Sequence, residues 1–168
     1  MSVRTILITG VAGFIGHACA VRLLREGWQV VGLDNLNDYY SPALKQARLD
    51  DVAAHPNAQN FTFTRLDLTD LEALNALVLE AKPQVILHLA AQAGVRYGMT
   101  HQQPYLASNL IGHFNVLQAT KTLADAAQSP NYAPAHVLYA SSSSVYGNRE
   151  GEDATTGFRE TDDIMHPQ

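Results

Sequence analysis

The 168 residues hold one cysteine, Cys19, which excludes an internal disulfide framework and fits a reducing compartment. No apolar run approaches the roughly 18 residues of a membrane-spanning helix, and no basic segment followed by a long apolar stretch opens the chain. Neither a membrane partner nor a secretory leader is expected. Positive charge is scarce, with 11 Lys and Arg against 16 Asp and Glu, a formal net charge of -5. That balance disfavours nucleic acid and anionic membrane surfaces as partners. The histidines show no metal-ligand spacing, so no metal is expected. Internal repeats and low-complexity segments are absent too. What remains is a chain with 46% hydrophobic residues, long enough to bury a core without staples, and expected to be soluble and cytoplasmic.

Short apolar runs rich in β-branched residues alternate with stretches of helical period, the pattern of an α/β fold. Residues 3–9, 29–33, 61–66, 85–89 and 136–140 read as strands. A first helix is expected between the Gly-rich turn and Gly27, with Ile15, Cys19, Leu23 and Leu24 on its packing side and Cys19 a buried, inert thiol. Ala43 to Val52 forms a second within a long connection that His55-Pro56-Asn57 breaks. A third opens at the capping box Thr69-Asp70-Leu71-Glu72 and runs to about Ala81, and one long helix covers about Pro104 to Ala127. Right-handed crossovers then give a doubly wound parallel sheet, a Rossmann fold, in the order 3-2-1-4-5 with its switch point between strands one and four. Residues 1–146 are expected to form this domain and 147–168 a mostly irregular tail.

Gly10-Val11-Ala12-Gly13-Phe14-Ile15-Gly16 lies between the first strand and the first helix, where a dinucleotide pyrophosphate is held. Gly10 permits the tight turn, Gly13 admits the phosphates to the backbone, and Gly16 lets the helix pack on the sheet. Asp34, at the end of the second strand about 20 residues on, is placed to accept hydrogen bonds from the adenosine ribose. It would repel a 2′-phosphate, so NAD is expected over NADP. Arg48 reads as a solvated helix arginine, the alternative being a partner for a 2′-phosphate. Asp67-Leu68 after the third strand either meets the adenine or only caps the next turn. Leu89-Ala90-Ala91-Gln92 offers small side chains and free backbone groups beside the phosphates. Ser141 to Ser144, after the fifth strand, brings hydroxyls to where hydride transfer is expected. His88 is expected to be a hydrogen-bonded interior residue, and Trp28, Tyr39 and Tyr40 core or rim packing, with contact to adenine or sugar the alternative.

These motifs, with Leu33-Asp34-Asn35-Leu36-Asn37-Asp38-Tyr39-Tyr40, His88 to Tyr97 and Tyr139 to Gly147, resemble the extended short-chain dehydrogenase/reductases. Within them the chain is most similar to the UDP-glucuronate 4-epimerases. The resemblance implies a tightly held NAD that takes a hydride from C4 of a nucleotide sugar and returns it to the other face, the net conversion being UDP-glucuronate to UDP-galacturonate. It also implies cofactor contacts from Phe14, Ile15, Asn35, Asn37 and Asn109. Ser142 matches the family position that orients the reacting oxygen, and Arg96 is a substrate-side candidate. Ser143 and Ser144 match positions where the related sugar dehydratases carry an Asp-Glu pair. Two hydroxyls in place of two carboxylates would accept an acidic sugar.

One departure is large. The family's tyrosine base and the lysine four residues after it are missing, because no Tyr-x-x-x-Lys occurs among these 168 residues. Lys45, Lys82 and Lys121 do not stand in for that lysine. The expectation is a stretch ending before the catalytic helix and substrate lobe, binding NAD without turnover. UDP-galactose 4-epimerases and sugar dehydratases are the alternatives within the family. A non-enzymatic NAD-binding module is the alternative outside it, docking a second copy or a partner chain at the bare sheet edge beside the fifth strand.

Overall fold

The computed structural model describes residues 4–126, 136–147 and 157–164. The chain divides into two compact units, residues 1–138 and 139–168. β1 (Thr5–Thr9), β2 (Gln29–Asp34), β3 (Phe61–Arg65), β4 (Val85–His88) and β5 (His136–Tyr139) form one sheet in the order β3-β2-β1-β4-β5. Pairing of β1 with β2, β1 with β4 and β2 with β3 is parallel. The expected topology is therefore the observed one.

Alternation along β1 explains why two layers of helix are needed. Ile6 and Ile8 pack with Val30, Ala20, Leu24, Leu49 and Val52, against α1 (Phe14–Arg25) and α2 (Pro42–Ala53). Leu7 points the other way, to Ile86, Leu74, Val78, Val116 and Leu123, against α3 (Leu71–Ala81) and α4 (His113–Ala126). A strand buried on both faces reads as a continuous apolar run, as this one does.

Three local expectations are corrected. Ile15 is 58% exposed, because α1 buries Gly16, Ala20 and Leu24 instead, while Cys19 and Leu23 are only partly buried at its flank. The N-cap of α3 is Asp70, whose carboxylate accepts from Ala73 N at 3.0 Å. Thr69 is drawn back to donate its hydroxyl to Asp67 at 2.7 Å, so it does not cap the helix. Thirdly, the long helix is not uniform: a turn at Gln102–Tyr105 leads into a π segment at Leu106–Gly112 before α4 begins. Within that segment Gly112 lies against Leu68, where a Cβ would come within 3.0 Å of the leucine Cβ.

The irregular tail expected over 147–168 falls partly on 148–156 and 165–168, which lie outside the described residues. Residues 157–164 carry a turn closed by Arg159 N donating to Asp162. Among the described residues no helix is long and apolar enough to cross a membrane, and no group of three potential metal ligands occurs.

Candidate functional site

Parallel strands end together, and the C-terminal ends of β1, β2, β3 and β4 open onto one cavity of about 400 Å3. Its floor is the glycine turn. Gly10 has φ 72, a conformation that favours glycine, and a Cβ there would lie 2.8 Å from Ala90 N. At Gly16 a Cβ would lie 2.2 Å from Gly10 O, so α1 could not approach the turn with any side chain at that position. Gly13 is the N-cap of α1 and brings no side-chain cap, and the helix has no acidic residue in its first turn. The first N–H groups of the helix are thereby left for an external acceptor, with the positive end of the helix dipole behind them. Phe14 lines the cavity, while the Ile15 side chain turns to solvent.

The polar wall follows β2. Asp34 is buried, and its Oδ1 accepts from Leu36 N at 2.8 Å across a turn in which Leu36 takes φ 55. Asn35 accepts from Asn37 N at 3.0 Å and donates to Asp67 Oδ2 at 2.8 Å. Asp67 also accepts from Thr69 N and its hydroxyl. Partial burial would raise the Asp67 carboxyl, but these donors hold it below the usual carboxylate range. Asp67 lines the cavity and, through its bonds to Thr69, organises the next turn. Leu68, Leu89, Ala90, Ala91 and Gln92 complete the wall.

Thr9 and His88 brace this wall from beneath. Thr9 Oγ1 accepts from Leu89 N at 3.1 Å and Ala90 N at 3.0 Å, and lies 2.7 Å from His88 Nδ1. With both lone pairs taken, the hydroxyl proton goes to Nδ1, so His88 is the neutral tautomer carrying its proton on Nε2. Burial, and secondarily the charge of neighbouring His113, push the His88 imidazole down to about 4. Asn109 does not line the cavity. Its side chain accepts from Gln92 N at 2.7 Å and donates to Gln92 O at 2.9 Å, which fixes the loop that does.

One side chain departs from the sequence reading, and another takes a place to which that reading assigned nothing. Arg48 is not a solvated arginine; its Nη1 donates to Ala12 O and to Tyr40 Oη, both at 3.1 Å. Lys45 reaches the cavity from α2, a role that a helix position ten or so residues beyond the strand does not advertise. Tyr40, Pro104, Ala107 and Ser108 also line it. Arg96 is exposed on the short turn Val95–Gly98 and lies outside this cavity.

Ser142, Ser143 and Ser144 belong to the second unit and are exposed. Ser142 caps the 3-10 turn Ser143–Tyr146, its Oγ accepting from Ser144 N at 3.2 Å and donating to Ser144 Oγ at 3.1 Å.

Residues 7–168 match the family model described as GDP-mannose 4,6 dehydratase. The chain belongs to this family. Among curated members, Protein CapI of Staphylococcus aureus is 38% identical over 162 residues, covering 96% of this chain and 43% of that protein. The probable UDP-glucuronate 4-epimerase of Rhizobium meliloti is 42% identical over 144 residues, covering 86% and 39%. A solved UDP-glucuronic acid 4-epimerase mutant from Bacillus cereus, in complex with UDP-4-deoxy-4-fluoro-glucuronic acid and NAD, superposes with a TM-score of 0.74 at 28% identity. That match covers 98% of this chain and 46% of the other. The chain thus spans less than half the length of these members of the family.

Proposed function

We propose that the cavity binds NAD and that the chain is the nucleotide-binding part of a UDP-glucuronate 4-epimerase. The observation that carries this is the joining of an uncapped helix N-terminus, a side-chain-free glycine turn and a buried carboxylate in one cleft at the switch point. In this reading the amides after Gly13 hold the pyrophosphate, Asp34 accepts from the adenosine ribose, and Asp67 with Leu68 meets the adenine. Leu89 to Gln92 supply backbone groups along the cofactor, and Asn109 positions them through Gln92. Bound NAD supplies the acceptor, and when reduced the donor, of a hydride.

Ser142 is assigned a hydrogen bond to the reacting sugar oxygen, and Ser143 and Ser144 accommodate the acidic sugar that a carboxylate pair would repel. That substitution favours the epimerase reading over dehydration. Arg96 is the substrate-side cation in the same reading. Since no Tyr-x-x-x-Lys is present, these 168 residues alone are expected to bind without turnover: general acid–base catalysis contributes about 10²–10⁴-fold. β5 stands at the end of the strand order among the described residues, which supports a second chain along that edge.

Calorimetric titration with NAD, followed by an assay for UDP-galacturonate, tests the proposal. Saturable binding of one NAD without product is expected. Absence of binding would overturn the cofactor assignment, and product formation would overturn the expectation of binding without turnover.

A further inference from the structure

The polar end of the cavity contains a buried cation. Lys45 is 4% exposed, and its Nζ donates to Asn37 Oδ1 at 2.8 Å, lies 3.6 Å from Asp34 Oδ1 and sits 4.8 Å from the centre of the Tyr40 ring. At 3.6 Å the contact with Asp34 is an ion pair without a hydrogen bond. A lone ammonium at that depth would carry a large desolvation cost, which the carboxylate, the amide and the ring offset together. Asp34, the residue expected to exclude a 2′-phosphate by its charge, therefore does not stand alone.

We propose that Lys45 is a specificity-determining residue for the choice between NAD and NADP. An isolated carboxylate repels a dianionic phosphate as a monopole; paired with an ammonium 3.6 Å away it acts as a dipole, whose field falls off faster. The site then disfavours the 2′-phosphate through the ribose hydroxyl bonds that Asp34 loses, and takes NADP as a weaker second ligand. Arg48, which also donates to Tyr40, adds positive charge on the same side. The inference rests on the reading of the cavity as an NAD site.

The test is a cycle of variants, each titrated calorimetrically with NAD and with NADP and checked for folding by circular dichroism. Lys45→Met is expected to weaken NADP binding about tenfold more than NAD binding, and Asp34→Asn to shift the ratio about tenfold toward NADP. The double variant, neutral like the pair it replaces, is expected to return within about threefold of the unmodified ratio. Lys45→Arg keeps the charge and is expected to keep the ratio. A purely structural lysine would scale both affinities together and would make the double variant match Asp34→Asn; either result, or no NADP binding by the unmodified chain, overturns the proposal. Where Lys45→Met does not fold, the comparison of Asp34→Asn with the double variant decides. Failure of the unmodified chain to bind either nucleotide refutes the NAD reading itself; NAD binding with a ratio insensitive to Lys45 refutes only the present inference.

Discussion

Acid should destabilise this chain through His88, and His88→Gln should remove that sensitivity. The imidazole is 6% exposed, accepts the Thr9 hydroxyl at Nδ1 and is pushed down from 6.5 to about 4 in the folded chain. Between those two values the unfolded chain holds a proton on His88 that the folded chain does not, so stability rises with pH there. The contribution is fully present above about 6.5 and is lost as pH falls toward 4. The full shift corresponds to about 3 kcal/mol, and about 2 kcal/mol is lost by pH 5. Gln keeps an acceptor for Thr9 without titrating. Urea unfolding of both proteins at about pH 7.5 and about pH 5 measures the effect as a difference of differences, which removes every other titrating group. The unmodified chain should lose about 2 kcal/mol relative to the variant over that interval. A constant difference between the two proteins would refute a buried neutral imidazole at this position.

Other substitutions probe the turn, the clamp and a cap. Gly16→Ala places a Cβ 2.2 Å from Gly10 O and should cost about 3 kcal/mol in chemical denaturation while abolishing NAD binding. Asn109→Ala removes both bonds to the Gln92 backbone and should cost about 2 kcal/mol, with weaker NAD binding although the side chain lines none of the cavity. Asp70→Ala removes the cap of α3 and should cost about 1 kcal/mol with NAD binding unchanged, whereas Thr69→Ala should leave the helix N-terminus capped.

Features set by local pattern were legible in the sequence. The glycine turn and the strand and helix periods fix the elements, and crossover handedness then leaves little choice of sheet order. Competition between neighbours was not legible. Thr69 and Asp70 both suit an N-cap, and Asp67, two residues earlier, decides by taking the Thr69 hydroxyl. Ile15 is apolar yet exposed, because the close approach required at Gly16 sets the rotation of α1. The π segment arises where Asn109 reaches Gln92 and Gly112 meets Leu68, contacts between elements that helical periodicity does not encode. Lys45 and Arg48 were hidden for a similar reason: a cation on a helix reads as solvated until the fold lays that helix against Asp34 and Tyr40.

The central claim, that the strand ends and glycine turn hold NAD, is tested most directly by amide NMR shifts of the chain titrated with NAD. The expected result is saturable change at Phe14, Ile15 and Gly16, at Asn35 to Asn37 and at Leu89 to Gln92, with α3 beyond its first turn unaffected. Shifts scattered over the surface, or none at the glycine turn, would contradict it.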